Sequence, residues 1–113
     1  MPTAVQALAA KKMYGGESPS YLEQEVYSWS PEKIVLKSYD LFIVSAKRND
    51  PAKMNRILTE LINSLNFDYD EPAMRLYRLY EYCQTCINRG NTSEAINIIQ
   101  NLRTTWAQAF NID

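Results

Sequence analysis

Histidine is absent from this chain of 113 residues. The commonest general base and metal ligand is therefore missing. There are only two cysteines and three glycines, too few for a disulfide scaffold. The one glycine-bearing stretch that could suggest a phosphate loop, "YGGESPS", has no Lys-Ser or Lys-Thr after it and no strand before it. Neither sign of charge dominates. Twelve Lys and Arg stand against 13 Asp and Glu, a net charge of −1, whereas a polyanion binder carries a basic excess, so no nucleic-acid partner is expected. No apolar run approaches the roughly 20 residues that span a bilayer, so no membrane insertion is expected. The early stretch "AVQALAA" is short and weakly hydrophobic, and its lysines follow it instead of preceding it, unlike a signal peptide. Cytoplasm is the expected compartment.

What is present is enough apolar material for one core. Hydrophobic residues make up 46% of the chain, and eight tyrosines stand out in so short a sequence. A chain of this length buries roughly two-thirds of the surface its unfolded form exposes. Residues 1–20 read as an N-terminal arm, because "YGGESPS" breaks the short turn that Val5, Leu8 and Ala9 could form. Residues 21–113 read as a single domain, opening with a short helical piece from Tyr21 to Tyr27. Ser30 then caps a helix whose first residue is Pro31, running to about Arg48. Asp50 and Pro51 repeat the same start. In this second helix Met54, Ile57, Leu58, Leu61, Ile62 and Leu65 share an arc of ~140°, the width of one bundle seam. A third helix is expected from near Pro72 to Arg89, with Gly90 just past its end. A fourth follows "NTSE", with Ala95, Ile98, Ile99, Leu102, Trp106, Ala109 and Phe110 inward. No segment has strand periodicity. The expected fold is all-α, an antiparallel up-down four-helix bundle with a short N-terminal helix or arm.

The helix from Pro31 is greasy on too many sides. Val35, Leu36, Tyr39, Phe42, Ile43 and Ala46 fill one side; Ile34 and Leu41 lie beyond them, beside Ser38 and Ser45. The apolar-or-small arc is ~220° wide, where one seam needs ~100–140°. Either this helix touches two neighbours inside the fold, or part of the arc is a groove for something else.

The pair Cys83 and Cys86, in "CQTC", has redox spacing. A redox pair places its first cysteine at a helix N-terminus, where the dipole lowers the thiol pKa. Here both cysteines fall inside the third helix, and Cys83 projects among Leu76, Tyr80 and Ile87. A zinc site would need two more ligands of the usual kind, and none exists. Core packing is the better reading, and no cofactor, metal or catalytic residue is expected. Asp68, Asp70 and Glu71 lack the glycine and spacing of a calcium loop and read as a solvated turn. The tyrosines suit wet seams and binding grooves alike.

Four stretches, in order, carry a resemblance. They are "PSYLEQEV" from Pro19, "SPEKIVLKSYD" from Ser30, "LYEYC" from Leu79 and "LRTTWAQAF" from Leu102. Together, from about Pro19 to Phe110, they resemble the flagellar export chaperone family FliS. Leu41 stands where a glycine commonly follows the Tyr-Asp pair, and Ser38 where a leucine precedes it. The resemblance implies a non-catalytic chaperone that holds the disordered C-terminal segment of flagellin as helices in apolar grooves. An export-gate component or a co-chaperone is a further candidate partner. The client-binding residues this implies are Tyr21, Leu22, Val26, Ile34, Ser38 and Leu41, with the segment Tyr21 to Val26 covering the groove until a client displaces it. The rival reading is a non-catalytic helical-bundle adaptor that binds a folded partner or itself. A redox enzyme built on the cysteine pair is a third.

Overall fold

Two short polar side chains start the first two long helices. In the computed structural model, which describes residues 25–113, the Ser30 side chain accepts from the Lys33 amide and opens α1, Pro31–Lys47. Asp50 does the same for the Lys53 amide and opens α2, Pro51–Asn63. Each has proline in its first turn, where the missing N–H has no helical partner to lose. α3 is Asp70–Asn88 and α4 is Thr92–Phe110. α3 begins two residues before Pro72, with Asp70 and Glu71 in its first turn and no side-chain cap. Acidic side chains at the positive end of the helix dipole partly replace one. Asn91 occupies the cap position of α4 but does not bond the helix; its side chain instead accepts from the Ser93 hydroxyl.

Among the described residues there is no strand, and no helix is long and apolar enough to cross a membrane. The expected arm over residues 1–20 lies outside the described residues, as do Tyr21 and Leu22. Residues 25–27 are helical.

Three helices end alike. Past α1, Asn49 takes a left-handed φ of 54° and the Asp50 amide returns to the Ser45 carbonyl at 3.0 Å. Past α3, Gly90 takes φ 82° and the Asn91 amide returns to Cys86 at 2.8 Å. Past α4, Asn111 takes φ 52° and the Ile112 amide returns to Ala107 at 3.0 Å. This six-residue closure satisfies carbonyls that a helix end leaves open, and asparagine and glycine tolerate the left-handed position it needs.

The helices form a ring in which α1 packs on α2 and α4, and α3 packs on α2 and α4. Cross-bonds set their directions. Asn55 of α2 bonds Asn88 of α3, and Thr59 bonds Gln84, one turn up against one turn down. Trp106 of α4 bonds Glu32 of α1, while Arg103 bonds Asp40. Both pairs are antiparallel, so the all-α antiparallel four-helix bundle read from the sequence is the architecture found. Its core holds Tyr39, Leu41, Phe42, Met54, Ile57, Leu58, Leu61, Tyr80, Cys83, Ile87, Ala95 and Ile99. Ala109 and Phe110, expected inward, are exposed. They occupy the last turn of α4, at an end of the bundle that is not filled.

Candidate functional site

α1 buries two faces, and Leu41 of the second belongs to the same core cluster as Tyr39 of the first. The first faces the bundle. Tyr39 reaches across the core to Tyr80 of α3, and their hydroxyls meet at 2.6 Å. The Trp106 ring stands edge-on to Tyr39 at 6.1 Å, and its indole N–H donates to the Glu32 carbonyl at 2.8 Å. Beside them Arg103 Nε donates to Asp40 Oδ1 at 2.6 Å, in a pair about one-third exposed. Thus the "YD" of α1, the first tyrosine of "LYEYC" and the Arg and Trp of "LRTTW" meet at one junction. Desolvation raises both phenols: Tyr80 is pushed up to about 12 and Tyr39 higher still. The hydroxyl pair is therefore a neutral strut, not an acid–base device.

The second surface is the strip Ile34, Ser38, Leu41 and Ser45, turned about 150° from Tyr39 at its two aliphatic residues. All four are buried. The Ser38 hydroxyl donates to the Ile34 carbonyl at 2.8 Å and the Ser45 hydroxyl to the Leu41 carbonyl at 2.9 Å. Each donor is closed on its own helix, so the strip presents small, flat, largely apolar relief. Of the six residues expected to bind a client, Ile34, Ser38 and Leu41 thus share this one strip. Val26 is fully buried and belongs to the same core cluster as Leu41. Tyr21 and Leu22 lie outside the described residues.

The cysteine pair sits where packing, not redox chemistry, would put it. Both thiols are free and buried. Burial, reinforced by Cys86 and Glu94, pushes the Cys83 thiol up to about 12, opposite to the shift that activates a nucleophile.

One feature was missed in the sequence. Val35, Leu65, Tyr69, Leu76, Trp106 and Phe110 wall a cleft of about 280 Å³ at the end of the bundle. "NFDYDEP" was read as a solvated acidic turn. Its signal was the alternation of aromatics with acids: Phe67 is 45% and Tyr69 70% exposed, too open for loop aromatics that merely complete a core.

Comparison with known families matches residues 44–113 to the family described as "Flagellar protein FliS". No curated protein matches, and no solved structure does. The matched span covers the last turn of α1 and all of α2, α3 and α4, including Tyr80, Arg103 and Trp106.

Proposed function

Because this chain belongs to the flagellar protein FliS family, and so to the flagellar export chaperones, we propose that it holds the disordered C-terminal segment of flagellin in the cytoplasm until export. The observation that carries this reading is the second buried strip of α1. α1 buries Leu36, Tyr39 and Phe42 on one side and Ile34, Ser38, Leu41 and Ser45 on another, with both hydroxyls of the second side closed on the helix itself. In the proposal a helical stretch of the client lies along Ile34, Ser38 and Leu41, the two serines allowing close approach. Tyr21, Leu22 and Val26 complete the groove: they cover it in the free chaperone and are displaced by, or packed against, the client. A groove that is open only part of the time lowers the observed affinity by that fraction. Ordering the client costs a further ~2–5 kcal/mol of the gross interaction energy, which suits a segment that must be released again. The role needs no cofactor and no catalysis.

The test is calorimetric titration of a flagellin C-terminal peptide against the full chain and against Ile34→Ala and Leu41→Ala, with hydrogen exchange read on α1. Weaker binding by both variants while they remain helical, together with altered exchange at residues 31–47 when the peptide is added, is the expected result. A peptide that binds both folded variants as tightly as the parent removes the strip from the site. Failure to bind the peptide at all favours the adaptor reading.

A further inference from the structure

Where α1 and α3 begin and α2 and α4 finish, the four helices do not close over one another. The cleft of about 280 Å³ lies there, lined by Trp106 and Phe110, whose rings are tilted at 49° with centroids 4.9 Å apart, and by Leu65 and Tyr69. Phe110 is 45% exposed, and Phe67, in the same connection as Tyr69, stands edge-on to Tyr77 at 6.2 Å. The volume falls just below the ~300–1,000 Å³ usual for small-molecule pockets and suits one or two large side chains. Aromatic residues around an apolar depression, with a polar edge, are the composition of a protein-binding hot spot.

The charges at the mouth select the occupant. Glu32 lines the cleft, and Asp68 and Asp70 flank Tyr69. Neither Glu32 nor Asp68 has an ion-pair partner among the described residues, whereas Glu71 is taken up by Arg75 and Asp70 lines a separate depression with Arg75 and Arg78. No Lys or Arg lines the cleft. An acidic rim over aromatic faces attracts cations twice, through the carboxylates and through the ring quadrupoles. We propose that this open end is a second docking site, distinct from the α1 strip, for a protein segment that inserts one or two large apolar side chains and flanks them with Lys or Arg. The inference does not depend on flagellin being the client.

The probe is a short synthetic peptide with Leu and Phe flanked by lysines, titrated into the full chain by calorimetry and followed by amide and indole NMR shifts. Two control peptides replace the lysines with glutamates, or the apolar pair with serines. The lysine peptide should shift the amides near Val35, Leu65 and Tyr69 and the Trp106 indole N–H, and bind less tightly as salt rises. Either control should bind about tenfold more weakly or worse. So should the double variant Tyr69→Ser/Phe110→Ser, whose side chains are exposed and whose melt should match the parent's. The proposal is overturned if the glutamate peptide binds equally, if the double variant binds as the parent does, if the shifts fall on Ile34 and Leu41 instead, or if no peptide binds at millimolar concentration. It is also overturned if sedimentation shows the chain pairing with itself and the double variant abolishing that pairing, since the occupant is then a second copy.

Discussion

The two ends of this bundle are built to different standards. At one end the connections are three residues each, Arg48–Asp50 and Arg89–Asn91. Each begins with a left-handed closure that turns the chain straight into the next helix. Beneath them Met54, Ile57, Cys83, Ile87, Ala95 and Ile99 are buried. At the other end the α2–α3 connection is six residues long, Phe67, Tyr69 and Phe110 stay open, and the cleft takes the place of a filled layer. Aromatic content alone would have put the stronger core at the second end. The difference teaches that short connections, which leave the helix ends little freedom, concentrate packing more than bulky side chains do.

If this contrast is right, damage at the closed end should be the most costly. Ile99 is completely buried there, and Ile99→Ala should destabilise by ~2–5 kcal/mol in urea unfolding. A loss below that of Trp106→Ala, at the half-open end, would reverse the ranking of the two ends. The junction between them comes next. Tyr39→Phe strands the buried Tyr80 hydroxyl and should cost ~1–3 kcal/mol, while the double change Tyr39→Phe/Tyr80→Phe should cost less than the two single changes added together. An additive cycle would mean that the hydroxyls do not depend on each other.

The same region sets an alkaline limit. Burial holds the Cys83 thiol and the Tyr80 phenol up at about 12. In the unfolded chain they titrate near ~8.5 and ~10. A folded pKa above the unfolded one means that the neutral group stabilises the fold. That contribution is complete below pH ~8.5 and is lost as pH rises toward 12. Thermal melts should fall steadily over that window, and less steeply in a Cys83→Ala variant. A melt independent of pH from 8.5 to 11 would contradict it.

Smaller effects belong to the open end. Trp106→Phe keeps most of the ring but removes the donor to the Glu32 carbonyl, at ~0.5–1.5 kcal/mol. A loss of several kcal/mol would show that the indole is a core anchor after all. Tyr69→Ser should change stability by no more than ~0.5 kcal/mol, since its ring is 70% exposed. A clear drop in its melting temperature would mean that the cleft is part of the core.

Much of the bundle was legible because its signals are local. Ser30, Asp50, the prolines that follow them and Gly90 mark helix boundaries through bonds that span a few residues. The 3.6-residue spacing of Met54, Ile57, Leu58 and Leu61 names a buried face without any knowledge of the partner. The exposed Ala109 and Phe110 were misread because periodicity reports which face of a helix is apolar, not whether a neighbour extends far enough to cover its last turn.

By itself, then, the sequence determined four amphipathic helices, their short connections, the inert placement of Cys83 and Cys86, and the surplus apolar width of α1. Each follows from spacing along one helix or from caps that bond their own neighbours. Only the tertiary structure decided that Tyr39 meets Tyr80, that Asp40 meets Arg103, and that Ile34, Ser38 and Leu41 are all buried. It also decided that Val35, Tyr69, Trp106 and Phe110, from three separate elements, wall one cleft. Those contacts join residues far apart in the chain, and their geometry depends on relative helix height and crossing angle. Both are set by how whole side-chain layers interlock, which no single helix encodes.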